Sequence, residues 1–450
     1  MSQIFAGKSR LRRQPPFAPP LSLLSMASVL ETGGHHVQVV DVMCEADPTG
    51  KICRLLACAD LVLINVSPGC CEESRVLAEF VHKHRPEVPV VLQGIYCTIH
   101  AGQALVDIPT ADACIRGEGE HVITRVVETM MQKDNLSQLS GVYYREKDQI
   151  KAGKQPEEIQ DLDSLPFPAR HLVQDYDYGV MNGVRLSRPC FTSVLTSRGC
   201  PCQCRFCATY FLNGSYRQRS LENVLQEFRE LQGKYGSVMV EDDNFLVDPH
   251  RAMRIMDGLI EIGSDLEMFV AGARVDSANR ELYKKMARAG VKFISFGIES
   301  GNQRILDYYQ KRITIAQIRK AVDLANEMGI ITWGNFIFGA PVETKEQLEE
   351  TLEFSMSLPL DMAFFRPLSY QRGADLWREA VARGLLEEGT AFRYAGSGDT
   401  GGHFTADELA DYCRWAFKRF YFRPRYLFRE CFRSFKRRDF TVLKSLGSVL

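Results

Sequence analysis

From Phe191 to Pro367 the sequence alternates short apolar runs with stretches whose apolar residues repeat at helical spacing. The runs are Phe191–Ser197, Ser237–Glu241, Glu267–Ala271, Val291–Ile298, Ile331–Phe338 and Ala363–Pro367. Between them, Leu221, Val224, Leu225, Phe228 and Leu231 fall on one helical face behind a capping Ser220. Further helices are expected over Pro249–Ile262, Ala278–Ala289, Thr314–Met328 and Thr344–Leu358. The last two open with T-x-x-Q capping boxes, and Gly290 and Gly329 read as helix stops. Strand–helix units repeated at this length give a barrel or partial barrel, with chemistry at the carboxyl ends of its strands.

The first of these strands delivers Gly199-Cys-Pro-Cys-Gln-Cys-Arg-Phe-Cys207, which sets Cys200, Cys204 and Cys207 in a C-x3-C-x2-C array. Three thiolates this close can cap three irons of a [4Fe–4S] cubane and leave the fourth iron open, whereas a four-cysteine cluster usually relays electrons. A zinc site would also use the Cys204/Cys207 pair, but needs a second Cys or His pair about 12–20 residues further on. The next cysteine is Cys413 and the next histidine His250. A disulfide framework suits small secreted domains rather than a chain of 450 residues. The cluster is the favoured reading; zinc and purely structural thiols are the alternatives. Cys202 lies inside the loop but outside the array, and is set aside as a ligand.

Hydrophobic content of 45% and charged content of 25% are ordinary for a globular protein of two or three domains. A net charge of −1 offers no field for nucleic acid. Met1–Pro20 is basic with no apolar core of a signal peptide, and Leu21–Leu30 is too short to span a bilayer. With fourteen cysteines, a reducing cytoplasm is the expected compartment. Charge is uneven, however. From Asp411 to Leu450 eleven Lys/Arg stand against three acids, interleaved with aromatics from Trp415 to Phe435. Such a helical tail either packs its aromatics on the body with its arginines solvated, or lies on an anionic membrane surface or binds an anionic substrate.

In the N-terminal third, Val37–Val42, Ala59–Val66, Val88–Gln93 and Ala113–Arg116 read as strands of a parallel sheet. Helices are expected over Leu21–Glu31, Glu72–His84 and Val122–Met131. This alternation means an open, doubly wound α/β domain that binds ligands at the carboxyl ends of its strands. Those ends carry Ser67-Pro-Gly69, Gly94-Ile-Tyr96 and Gly117-Glu118-Gly119, whose glycines allow close backbone approach but are also ordinary turn residues. Vicinal Cys70 and Cys71 read as a buried small apolar pair, with a redox pair as the alternative.

Taken with the cysteine array, four segments resemble the B12-dependent radical S-adenosylmethionine (SAM) enzymes over about residues 15–390. They are Pro15–Leu21 (Pro-Pro-Phe-Ala-Pro-Pro-Leu), Leu30–Val37 (Leu-Glu-Thr-Gly-Gly-His-His-Val), Arg116–Glu120 (Arg-Gly-Glu-Gly-Glu) and Leu162–Arg170 (Leu-Asp-Ser-Leu-Pro-Phe-Pro-Ala-Arg). That resemblance implies a Rossmann-like, flavodoxin-type cobalamin-binding domain over 1–140, a linker over 141–188, a radical SAM (β/α)6 partial barrel over 189–390 and a helical C-terminal region over 391–450. The family usually opens with an apolar strand, whereas Phe5–Gln14 is too basic for a central one, so the first strand is expected to be short, degenerate or missing. The D-x-H-x-x-G motif is absent, since His100-Ala-Gly102 lacks the aspartate; this excludes a lower histidine ligand to cobalt, not B12 itself.

The same resemblance implies site roles. Phe206 matches the aromatic set against the SAM adenine, and Asp242 and Asp243 the acids that hold its amino group, with helix N-terminal charges as their alternative. Arg274 suits bidentate pairing with the SAM carboxylate, and Glu299 contact with its polar portion or ribose. Gly339 and Ala340 lie in Gly334-Asn-Phe-Ile-Phe-Gly-Ala-Pro-Val-Glu343, which resembles the family's fifth-strand G-x-I-x-G-x-x-x-E pattern, whose backbone follows the adenine. Ser67, Gly94, Gly117 and Glu118 are the expected cobalamin contacts. The implied activity is reductive SAM cleavage followed by methylation of an unactivated carbon of a small-molecule, lipid or natural-product substrate, fed by a donor such as flavodoxin or ferredoxin. Cyclisation, rearrangement or oxidation without methyl transfer, and a vestigial B12 domain, are the alternatives; least favoured is a non-catalytic cluster or zinc-binding module.

Overall fold

Residues 16–147, 149–181, 183–396 and 402–444 are described by the computed structural model. The chain divides into two units, Met1–Tyr176 and Asp177–Leu450. The first holds a mixed Rossmann-like sheet of β1 (Val62–Asn65), β2 (Val90–Gln93), β3 (Ala113–Ile115), β4 (Val142–Glu146) and β5 (Gln149–Ala152), neighbours in chain order. The first three are parallel, and the hairpin β4–β5 adds antiparallel to β3. Val142–Glu146 and Gln149–Ala152, grouped with the linker by sequence, are thus part of this sheet.

Alternation in the strands sends side chains to two covered faces. Val90, Leu92 and Cys114 pack with Phe80 and Val81 of α2 (Cys71–His84). Val91, Ala113 and Ile115 pack with Met26 of α1 (Leu21–Thr32) and Val126 of α3 (Ile123–Met131).

Val37–Val42, expected as a strand, is not one. Among the described residues β1 pairs only with β2, and the Val37–Val42 side chains are half-buried or exposed. Asp41 then turns the chain by accepting the Met43 amide at 3.0 Å. The Phe5–Gln14 stretch lies outside the described residues. Cys70 is exposed and Cys71 half-buried at the start of α2, so the expected buried pair is corrected.

The second unit is built on six parallel strands in chain order: β6 (Phe191–Val194), β7 (Ser237–Val240), β8 (Glu267–Ala273), β9 (Val291–Glu299), β10 (Ile331–Phe338) and β11 (Met362–Pro367). The outer strands β6 and β11 do not pair with each other, so the barrel is partial. Helices α4 (Leu221–Leu231), α5 (Pro249–Glu261), α6 (Arg280–Arg288), α7 (Ile315–Glu327) and α8 (Lys345–Ser357) cross between the strands. Their starts follow the sequence signals: Ser220 accepts the Asn223 amide, and both T-x-x-Q boxes are formed reciprocally. Edge strand β11 is covered by α9 (Ala406–Tyr421), whose Tyr421 hydroxyl accepts from the Ala363 amide and donates to the Ala363 carbonyl, both at 2.9 Å.

The C-terminal helices depart from the expected packing. Phe420 and Tyr421 are buried, as aromatics turned inward should be, but α10 (Pro424–Arg437) reverses the pattern. Arg429, Arg433 and Arg437 turn in and its phenylalanines out. The cause is a row of acceptors left where α8 ends. Arg423 donates to the Met356 carbonyl at 2.6 Å, Arg433 to that of Pro359 at 2.9 Å, and Arg429 to those of Leu358 and Leu360. Fully buried Asp361 takes Arg437 at 2.7 Å, Arg433 at 3.2 Å and the Thr332 amide at 2.8 Å. Burial opposes ionisation of Asp361, yet Arg437 and Arg433 hold its carboxyl below the usual range. Among the described residues no helix is long and apolar enough to cross a membrane.

Asp361→Ala would leave two inward guanidinium groups without their carboxylate, and is expected to cost about 3–5 kcal/mol in urea unfolding. Phe428→Ser, on the outer face of α10, is expected to change stability by no more than about 0.5 kcal/mol.

Candidate active site

The cysteine loop leaves the sheet through a narrow neck. Beyond β6, Ser197–Arg198 pairs antiparallel with Arg217–Gln218, so residues 199–216 depart and return at one point. Gly199 sits there at φ +77, and a Cβ would lie 2.4 Å from the Ser215 carbonyl oxygen, so a side chain is excluded. Asp242, just past β7, accepts the Thr196 amide and hydroxyl, each at 2.6 Å, and the Ser197 hydroxyl at 2.5 Å. Arg251 donates to the Thr196 hydroxyl at 3.0 Å and carbonyl at 2.8 Å. Asp243 accepts the Gly199 amide at 3.0 Å and the Asn213 side chain at 2.9 Å. Burial raises both carboxyls, against these hydrogen bonds. Both acids lie just past β7, with oxygens engaged in holding the loop.

Within the loop Cys204 is buried, at 8% exposure, and Cys200, Cys202 and Cys207 are half-buried. The loop is pinned from its middle: the Arg205 amide donates to the Tyr309 carbonyl at 3.0 Å, and its carbonyl accepts the Leu376 amide at 2.9 Å. The Arg205 guanidinium bonds Glu379 and lies over the Tyr308 ring. Arg274 brings Nη1 to 3.9 Å from the Cys204 Sγ, steadied by Asp276 at 2.8 Å and the Lys311 carbonyl at 2.7 Å. Burial pushes the Cys204 thiol up, opposed by Lys311 and Arg274. Cys200 and Cys202 are hydrogen-bonded to each other, which holds Cys202 down and Cys200 up. Among the described residues no three Cys, His, Asp or Glu side chains converge on a single-ion site. A cubane takes one thiolate per iron, so its ligands stand apart, and the donor set fits it.

The ends of β9 and β10 supply the remaining polar groups. Glu299 is buried at φ +68, with Oε1 accepting Lys311 Nζ at 2.8 Å and Oε2 buried without a partner. Burial would neutralise Lys311, but Glu299 and Cys204 outweigh it and raise its ammonium. Lys311 also stands 5.7 Å from the Phe206 ring, which meets Tyr309 edge-on at 5.0 Å. After β10, Gly339 (φ +96) and Ala340 donate their amides to Glu343 Oε2 at 2.6 and 3.1 Å. The other Glu343 oxygen is buried without a partner, and burial pushes this carboxyl up to about 7. Asn244 is buried with neither of its side-chain polar atoms bonded.

Cys204, Phe206, Arg274 and Glu299 are thus linked through Lys311, and Gly339–Ala340 form a separate turn at the same strand ends. Lys311, Tyr309, Arg205 and Asn244 carried no role from sequence. Lys311 lies between left-handed Gln310 and Arg312, outside any helical or strand period, so no spacing marks it. The other candidates lie in the first unit. Ser67 is exposed after β1. Gly94 follows β2 at φ +110, where a Cβ would meet the Asn65 side chain at 2.4 Å. The Gly117 amide donates to the Thr98 hydroxyl at 3.2 Å, and Glu118 accepts the Ile159 amide at 2.7 Å. All four stand at the carboxyl ends of parallel strands.

Residues 194–355 match the model of the radical SAM superfamily. An uncharacterised methyltransferase of Pyrococcus horikoshii is 30% identical, over 96% of this chain and 93% of that protein. The cytidylyl-2-hydroxyethylphosphonate methyltransferase of Streptomyces wedmorensis is 26% identical over 82% of this chain and 79% of its own. The fold is similar to that of the radical SAM methyltransferase TsrM of Kitasatospora setae, solved with cobalamin and a [4Fe–4S] cluster. That likeness has a TM-score of 0.69 at 19% identity, over 82% of this chain and 73% of that one. With its relative matched over nearly the whole chain, its three-cysteine loop and its six parallel strands, the chain belongs to the radical SAM superfamily, and its fold is that of the cobalamin-bound methyltransferase.

Proposed function

We propose that this enzyme methylates an unactivated carbon of a small-molecule, lipid or natural-product substrate, using a [4Fe–4S] cluster, SAM and cobalamin, with a one-electron donor such as flavodoxin or ferredoxin. The observation that carries the proposal is the three-cysteine loop held beside a buried carboxylate, Glu299, that has one oxygen left to bind with. When bound, the cluster and SAM supply one-electron chemistry and cobalamin carries the methyl group.

The chain's own part is binding and orientation. Cys200, Cys204 and Cys207 hold the cluster, and Arg274 and Lys311 lower the cost of thiolate charge around Cys204. Glu299 Oε2 accepts from the polar portion of SAM while Lys311 holds the other carboxylate oxygen in place. Phe206 offers a flat apolar face to the adenine, and the Gly339–Ala340 turn, closed by Glu343, keeps bulky side chains away from it. Asp242 and Asp243 position the loop, and Asn244 beside them offers a free amide to the ligand. Ser67, Gly94, Gly117 and Glu118 line the edge that receives cobalamin.

Anaerobically reconstituted chain is expected to take up cobalamin and, with dithionite, to release methionine and 5′-deoxyadenosine from SAM. Cys200→Ala, Cys204→Ala and Cys207→Ala should each abolish the iron–sulfur absorbance and this release, whereas Cys202→Ala retains both. Absence of both products from the wild type would sink the radical reading; products without cobalamin uptake would sink the methyl transfer. Glu299→Gln, which removes a charged acceptor and strands Lys311, should raise the KM for SAM about tenfold, equivalent to ~1.4 kcal/mol. Stability before loading should also depend on pH. Because the Glu343 carboxyl is raised from 4.5 to about 7 in the fold, its favourable contribution is complete below pH 4.5 and is lost as pH rises towards 7. Urea unfolding of Glu343→Gln across that window should lack this slope.

A further inference from the structure

We infer that α10 seats this enzyme on an anionic lipid bilayer. Phe428, Phe432 and Phe435 fall on one helical face at i, i+4 and i+7, and are 78%, 70% and 71% exposed. Scattered exposed apolar residues need no explanation, but three aligned phenyl rings mark a binding face. Leu427 extends the strip, as does Phe440, edge-on to Phe435 at 5.2 Å. The strip cannot turn inward, because the opposite face is fixed by buried Tyr426, Glu430 and Ser434 and by the arginines that bond the carbonyls after α8.

Charge identifies the occupant. Arg425, Lys436 and Arg438 are exposed around the strip. Of the acids in this region, Glu430 is buried and Asp439 is half-buried and paired with Lys292 at 2.9 Å. Among described residues 412–444, therefore, no carboxylate is exposed. Phenyl rings flanked by cations, on a 14-residue helix that cannot span a membrane, are what an interfacial helix on anionic lipid requires. Position agrees. The helix is anchored to Pro359–Asp361, at the amino end of β11, whereas the cysteine loop follows the carboxyl end of β6 in the same parallel sheet. A bilayer on this face leaves the catalytic strand ends clear.

The test is flotation of the full chain, cluster-reconstituted, with vesicles of phosphatidylcholine alone or mixed with phosphatidylglycerol. At least tenfold greater recovery with the anionic vesicles is expected, falling as salt is raised. Phe428→Ser/Phe432→Ser/Phe435→Ser should lose that recovery at least tenfold while retaining its circular dichroism and iron–sulfur absorbance. If the triple variant fails to fold, Phe428→Ser and the pair Arg425→Gln/Lys436→Gln replace it, each expected to weaken recovery severalfold. No recovery with anionic vesicles, or recovery indifferent to all these substitutions, overturns the proposal. So does a dimer, or a complex with an acidic flavodoxin, that the same substitutions abolish in a chain that does not bind vesicles.

Discussion

A single buried carboxylate, Asp242, ties the chain leaving β6 to the end of β7, and the placement of the cysteines depends on it. A parallel sheet aligns the strand ends but does not say where the segment beyond them goes. Asp242 answers that with three short hydrogen bonds to Thr196 and Ser197, and Arg251 grips Thr196 from the other side. Burial raises this carboxyl, and the donors from Thr196 and Ser197 oppose that cost. The two-rung neck and Gly199 follow directly, and with them the exit angle of the loop.

Charge arrangement beyond the neck follows the same logic at larger scale. Thiolates gathered in a partly buried loop repel one another and lose hydration, so nearby cations are required. Arg274 and Lys311 are those cations, and each is itself held by a carboxylate, Asp276 and Glu299 respectively. Buried ion pairs contribute little to stability against apolar substitutes. Here they fix orientation: Lys311 takes one Glu299 oxygen and leaves the other without a partner.

What the sequence made legible was local or strictly spaced. The capping boxes at Thr314 and Thr344 involve residues three apart, and the cysteine array is contained in nine residues, so neither needs tertiary information. Val37–Val42 has the composition of a strand, but a strand exists only with a partner, and composition does not supply one. The direction of the α10 arginines was equally hidden. Their acceptors are carbonyls some seventy residues earlier, and helical periodicity carries no record of them. Lys311 was missed for the same reason, since its importance comes from Glu299 and Cys204, each on a different element.

Tyr421 has a wider effect than its two hydrogen bonds suggest. One hydroxyl both donates to and accepts from the Ala363 peptide, as a neighbouring strand would, and so satisfies the outer edge of β11 with a side chain. An exposed edge invites another strand, from this chain or a stranger. Because a phenol occupies that position, the sheet has no template on which to add a seventh strand there. At that position the barrel is therefore kept partial by a side chain, and β6 and β11 remain the outer strands of the sheet.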